Sequence, residues 1–317
     1  MPASHLQHTV SKAVTVCGVG VHSGAPACLT IKPAPANSGI TFIRSDILDR
    51  DNRIPARWDL VTDTRLCTVI KNAAGASVAT IEHVMSALIA LGIDNADITI
   101  DGPEVPIMDG SAAPFVDAID SVGRQSQSVA RKVIRIIAPV TLTDGDKTVT
   151  LMPADDTAYS FDITFDSPVI GRQTFTHTVK ESDYRSDISF ARTFGFLHEV
   201  EALRAAGLGR GGSLDNAIVI DGDTVMNPGG LRSPTEFVRH KILDAIGDIG
   251  LAGMPVVAHY HGVKAGHAMN NRILHALFAN PASYVVVEMA PPVRVAAPRR
   301  SASAQDSRGF AGALVTA

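Results

Sequence analysis

Two stretches of this 317-residue chain read alike. With His83 set over His240, EHVMSALIALG lies over RHKILDAIGDIG, and each stretch reads as a helix ending at glycine. A strand pattern follows in both. Gly110-Ser-Ala-Ala and Gly266-His-Ala-Met then each open another helix, so that His83 precedes Ser111 by 28 positions and His240 precedes His267 by 27. This repeat predicts two related helix–strand–helix units packed as a pair, and the length suits two domains of about 100–200 residues. It also predicts a site between the halves, where pockets often form.

Around the repeat, residues 10–43 read as short strands flanking the glycine-rich run 18–24. A phosphate-cradling G-x-G loop must lead into a helix. Here Pro26 and a strand follow, so hairpin glycines are the better account. Residues 80–91 read as a helix, with Thr80 as N-cap, Ile81, Val84, Met85 and Leu88 at helical spacing, and Gly92 past its end. A strand over 96–100 and a helix over 112–122 follow, with Pro114 in the helix's first turn. The polar run 123–130 reads as a linker, dividing the chain into domains 1–125 and 126–297. In the second domain, strands are expected at 132–137, 140–143, 148–152, 160–165, 217–221 and 256–261. Helices are expected at 197–206, 235–251 and about 269–278. The low-complexity tail, 298–317, is expected to be disordered.

Composition removes whole classes of function. A net charge of −4 and 5% aromatic residues argue against a nucleic-acid polymer as partner. Cys17, Cys28 and Cys67 form no CxxC pair, so they read as neither a disulfide framework nor a cysteine zinc site. No signal-like or membrane-length apolar run is seen, and a cytoplasmic protein is the simplest expectation.

The chemistry sits on the repeated helices. His240, Asp244 and Asp248 are spaced i, i+4, i+8 and share one helical stripe among apolar neighbours. Two buried carboxylates one turn apart are costly unless cations compensate them. A His and an Asp one turn apart are a good start for zinc, although an exposed face with a stray His gives the same pattern. Glu82-His83 is weaker alone. Its geometry still allows the His to bind metal while the Glu accepts a proton from water. His267 opens a helix and is a candidate general acid, with Asp248 as the carboxylate that would keep it protonated. His259 and His261, alternating on a strand, are the rival ligand pair. His22, His177, His198 and His275 have no supporting pattern.

Taken together these motifs resemble the UDP-3-O-acyl-N-acetylglucosamine deacetylase family. The matching segments are TVCGVGVHSG, DTRLCTVI, TIEHVMSALIALGIDNADI, EVPIMDGSAAPFVDAI, SFARTFGF, GGSLDNAIVI, EFVRHKILDAIGDIGLAG and KAGHAMNN, which together span roughly residues 10–295. The resemblance implies an α+β fold of two similar domains, each layering sheet with helices, and an active site at their interface. It implies a metal-dependent hydrolase that cleaves the N-acetyl amide of a UDP-sugar in lipid A biosynthesis of Gram-negative bacteria. It makes His83, His240 and Asp244 the Zn2+ ligands, with Fe2+ as the other ion to consider. Glu82 becomes the general base, and His267 the general acid, oriented by Asp248. Thr193 becomes the oxyanion donor, and Lys241 a residue beside metal and substrate. Phe194, Gly212 and Lys264 fall in substrate-lining segments. The stripe carrying Val200 and Leu203 belongs to an insert at about 195–225, βαβ-like, that walls a passage for the acyl chain; the plainer reading of that helix is core packing. Lys241 and Lys264 are plausible diphosphate contacts. Cys67 is either a packed thiol or a ligand for a second, inhibitory zinc. A monomer is expected. The alternatives are a zinc amidohydrolase acting on another acylated amino sugar, and a catalytically silent zinc-containing nucleotide-sugar binding protein.

Overall fold

The structure is a computed structural model that describes residues 5–290. The expected tail, 298–317, and the last seven residues of the second domain lie outside the described residues. The first half runs β1 (Val14–Val19), β2 (Pro26–Pro33), β3 (Ile40–Arg44), β4 (Arg53–Pro55), α1 (Glu82–Ala90), β5 (Ala96–Ile100) and α2 (Ala113–Val122). Its sheet has the order β1-β2-β5-β3-β4, with β5 antiparallel to β2 and parallel to β3. The second half runs β6 (Val140–Asp144), β7 (Lys147–Met152), β8 (Ala158–Thr164), β9 (Arg172–Thr178), α3 (Glu181–Asp187), α4 (Leu197–Ala205), α5 (Glu236–Ile249), β10 (His259–Val263) and α6 (His267–Phe278). Its sheet has the order β6-β7-β10-β8-β9, with β10 antiparallel to β7 and parallel to β8. The repeat therefore holds at the level of topology, and the α+β class with two similar layered halves is the fold.

The strands alternate as half-buried strands must. Leu29, Ile31, Ile98 and Ile100 point inward while Thr30 and Thr99 point out; Val149, Leu151, Phe161 and Tyr260 do the same in the second sheet. Both inner faces rest on helices, and α1 and α5 pack directly on one another between them. Nearly every residue of both helices is buried. That explains why α1 beyond its first turn is apolar on all sides but for Ser86, whose buried hydroxyl is paired with the Tyr184 hydroxyl at 2.9 Å. The close approach of the two helices needs glycine. A Cβ on Gly247 would collide with the Glu82 backbone carbonyl, and one on Gly250 would meet the Ile89 side chain.

Each half carries an insert before its central helix. In the first, Val61–Asp63, Val69–Lys71 and Ser77–Val78 form a small antiparallel sheet. In the second, Phe194–Phe196 and Ile218–Asp221 pair in parallel around α4.

Four local expectations need correction. The run 123–130 is not a loop: Arg124–Ala130 is a strand paired with Leu6–Val10. Its polar composition suits a strand with no buried residue of its own, the core side of the pair being filled by Val10 of the partner strand, which is why it reads as a linker. Thr80 does not cap α1. It sits at φ +58°, and its hydroxyl donates to Glu104 Oε1 at 3.2 Å. The strand expected at 256–261 is two strands: Val256–Val257 pairs with Lys132–Ile136, while β10 joins the five-stranded sheet. Finally, Cys17 and Cys28 are joined by a disulfide. They are direct cross-strand partners on β1 and β2, with Cα atoms 4.2 Å apart. Only hairpin register brings them together, and cysteine spacing does not report it. Cys67 is the free cysteine.

Candidate active site

α1 enters the interface N-terminus first, so Glu82 and His83 are delivered to the point where α5 presents His240 and Asp244. One donor atom from each of His83, His240 and Asp244 lies within 4.8 Å of the others, and all three residues are buried. His240 Nε2 and His83 Nε2 stand 3.4 and 3.7 Å from Asp244 Oδ1. His240 Nδ1 donates to the Ala191 carbonyl at 3.0 Å, which leaves Nε2 as the bare nitrogen, free to face a metal. Burial, reinforced by His240, pushes His83 down to about 3, and burial lowers His240 as well. Both imidazoles are therefore neutral near pH 7, and their contacts with Asp244 are not ion pairs. Burial alone would raise Asp244, but nearby positive charge, from His240 when protonated and from Lys241, holds it below the usual carboxylate range. Two neutral nitrogens facing one buried carboxylate oxygen that lacks a hydrogen-bond partner are a donor set that a divalent cation completes. Imidazole and carboxylate suit zinc. Lys241 Nζ donates to Asp244 Oδ2 at 3.0 Å, so Oδ1 stays available.

Two titratable groups, Glu82 and His267, flank these donors. Glu82 is buried, and burial, with the Asp248 and Asp244 charges adding to it, pushes its carboxyl up to about 7 against the pull of His267. His267 goes the other way. Burial alone would lower it, but Asp248, Asp244 and Glu82 together raise it to about 10. Its Nδ1 donates to Asp248 Oδ2 at 2.8 Å, and its Nε2 stands 3.9 Å from Glu82 Oε1. The cost of two carboxylates on the α5 stripe is thus met by two cations: Lys241 donates to Asp244, and the His267 imidazolium bonds Asp248 while its Nε2 stands 4.0 Å from Asp244 Oδ2.

These groups open onto a cavity of about 500 Å³. Glu82, His83, His240, Lys241, Asp244 and His267 line it, and so do Thr193, Phe194, Val200, Leu203 and Gly212. Thr193 is held from both sides: its N–H donates to Gly110 and its carbonyl accepts from Ile218, each at 2.8 Å. α4 has no buried residue. Val200 and Leu203 face the cavity half-buried, so the core-packing reading of this helix does not hold. Asp248 stands behind His267, away from the lining. Lys264 is also outside it; its ammonium is paired with Asp146 at 2.6 Å. His259 and His261 belong to no metal-ligating group among the described residues, and His259 Nε2 bonds the Ser160 hydroxyl at 2.7 Å. Cys67 lines the cavity, and burial and the Glu82 charge push its thiol up to about 12.

Sequence reasoning missed three participants. Thr68 contacts both Glu82 and Asp248, and Asn270 donates to Asp248 Oδ2 at 2.9 Å. Lys147, at the start of β7, lines the cavity. Thr68 and Asn270 fall inside the motifs DTRLCTVI and KAGHAMNN, which were the available signal; nothing marks Lys147.

A family model described as UDP-3-O-acyl N-acetylglycosamine deacetylase matches residues 7–279. The chain is 52% identical over 280 residues to UDP-3-O-acyl-N-acetylglucosamine deacetylase of Phenylobacterium zucineum, covering 88% of this chain and 96% of that protein. Proteins of the same name are 48% identical over 286 residues in Myxococcus xanthus (90% of each chain) and 47% over 288 residues in Neisseria meningitidis serogroup B (90% and 94%).

Proposed function

The chain belongs to the UDP-3-O-acyl N-acetylglycosamine deacetylase family, and from that premise we propose that it is a zinc-dependent amidohydrolase. Its reaction would convert UDP-3-O-acyl-N-acetylglucosamine to acetate and the free 2-amino sugar, a step of lipid A biosynthesis. The observation that carries this reading is one cavity with three metal donors, a carboxylate poised near neutrality on one flank and an imidazolium on the other.

His83, His240 and Asp244 would hold zinc, which would supply Lewis acidity for activating water and the acetyl carbonyl. Imidazole and carboxylate donors would accept Fe2+ as well. Glu82 takes the proton as water attacks, a task suited to a carboxylate that titrates near 7. The Thr193 hydroxyl donates to the oxygen on which negative charge develops. An amide anion cannot leave, so His267 gives the Nε2 proton to the departing nitrogen while Asp248 holds its Nδ1. Lys241 keeps Asp244 oriented by donating to Oδ2, which leaves Oδ1 for a metal. A structural zinc site fills all four positions with protein ligands. Three donors beside two proton-transfer groups favour catalysis over a silent binding protein.

The acyl chain would run along Val200 and Leu203, with Phe194 and Gly212 contacting the sugar side. Lys147 is better placed than Lys264 for the diphosphate, because Lys264 is committed to Asp146 outside the cavity. No helix among the described residues is long and apolar enough to cross a membrane. On this reading the chain works as a cytoplasmic monomer on a substrate that itself carries the lipid.

The decisive assay is acetate release from UDP-3-O-acyl-N-acetylglucosamine by zinc-loaded protein, with a chelator control. No chelator-sensitive release would refute the function. The rate should be bell-shaped in pH, rising as Glu82 loses its proton near 7 and falling as His267 loses its own near 10; a single-limbed profile would remove one of the two groups from the mechanism. Val200→Asp or Leu203→Asp should slow a long-acyl substrate more than a short-acyl analogue, and equal losses on both would reject the acyl passage.

A further inference from the structure

One buried threonine touches proton-transfer machinery from both halves. Thr68 lies in the first insert and is 2% exposed. Its backbone N–H donates to Glu82 Oε2 at 3.1 Å, and its hydroxyl donates to Asp248 Oδ1 at 2.6 Å. Thr68 Oγ1 also stands 3.4 Å from His267 Nδ1. The second oxygen of Asp248 accepts from His267 Nδ1 and Asn270 Nδ2, and Tyr260 in turn donates its hydroxyl to Asn270 Oδ1 at 2.5 Å. The base comes from α1, the acid from α6 and the acid's carboxylate from α5, so no single helix fixes their mutual geometry.

Building on the deacetylase reading, we infer that Thr68 is a positioning residue that holds the base and the acid in register by giving one donor to each carboxylate. Two buried carboxylates this close repel each other, and each needs donors to stay in place. Asp248 must present Oδ2 along the Nδ1–H direction of His267, and a donor fixed on Oδ1 sets the rotation of the carboxylate plane. Without that donor the plane turns, the imidazole follows, and Nε2 leaves its line to the departing nitrogen. Misplacement of about 1 Å is enough to cost rate heavily. A threonine that merely packed would be replaceable by isosteric valine, which keeps the backbone N–H to Glu82 and removes only the hydroxyl.

The test uses the zinc-loaded full chain. Thr68→Val should lower kcat roughly 10–100-fold with KM nearly unchanged, and Thr68→Ser should restore most of the loss. In an Asp248→Asn background, Thr68→Val should cost almost nothing more, because the hydroxyl acts through that carboxylate. In substrate-free protein, the far-downfield NMR signal of the His267 Nδ1 proton should be present in wild type and Thr68→Ser and weakened in Thr68→Val. Wild-type kcat in Thr68→Val, a Thr68→Ser loss as large as that of Val, or additive losses with Asp248→Asn would each overturn the inference. If Thr68→Val does not fold, the Thr68→Ser rate and signal decide. Failure of wild type to release acetate would instead sink the deacetylase reading, while the NMR comparison still judges Thr68.

Discussion

Glu82→Gln is expected to lower kcat by roughly 10²–10⁴-fold, the span ordinarily supplied by general acid–base catalysis, with zinc content unchanged. Glutamine fills the same enclosed volume and its carbonyl oxygen can still accept the Thr68 N–H now donated to Glu82 Oε2. It cannot take a proton from water. Steady-state acetate release read beside metal analysis checks this. Loss of the metal together with the rate would make Glu82 a ligand and invert its role. Preserved rate would move the base elsewhere in the cavity. The rise of Glu82 to about 7 comes first from burial, so the substitution also relieves a buried acid, and the variant should fold at least as well as the parent.

Asp244→Ala should be more drastic still. It removes the one donor that faces both imidazoles, at 3.4 and 3.7 Å, and strips Lys241 of its partner. Zinc content should fall far below one per chain, and acetate release should drop below detection. The thermal midpoint should also fall, because a ligand at 100 times its Kd contributes about 2.7 kcal/mol to the folded state. The same drop should appear when wild type is stripped with chelator, and chelator should then do nothing further to Asp244→Ala. A variant that keeps one zinc per chain would show that the three residues are not the metal site.

Much of this was legible in the chain. Helical spacing placed His240, Asp244 and Asp248 on one buried stripe, and alignment of His83 with His240 anticipated two like halves meeting at a site. Spacing works there because i, i+4 and i+8 share one face of any unbroken helix, and α5 runs without a break from Glu236 to Ile249. It fails where contacts are set by tertiary register. The pairing of Cys17 with Cys28 depends on a hairpin's alignment. Thr68 is hidden because its partners are 14 and 180 positions away, and Lys147 because a turn aims it at a cavity built by distant residues. The strand at Arg124–Ala130 escaped for a different reason: its pairing leaves it exposed, so its side chains carry no hydrophobic pattern to read.

Gly247 has no reactive atom, yet it sets the gauge of the catalytic gap. It lies between Asp244 and Asp248 on α5, and the backbone it touches is that of Glu82. A single methyl group there would act as a wedge, shifting Glu82 away from the donors of α5 and from His267 in one movement. The meeting of the two halves is set by a side chain that must stay missing as firmly as by those that pack.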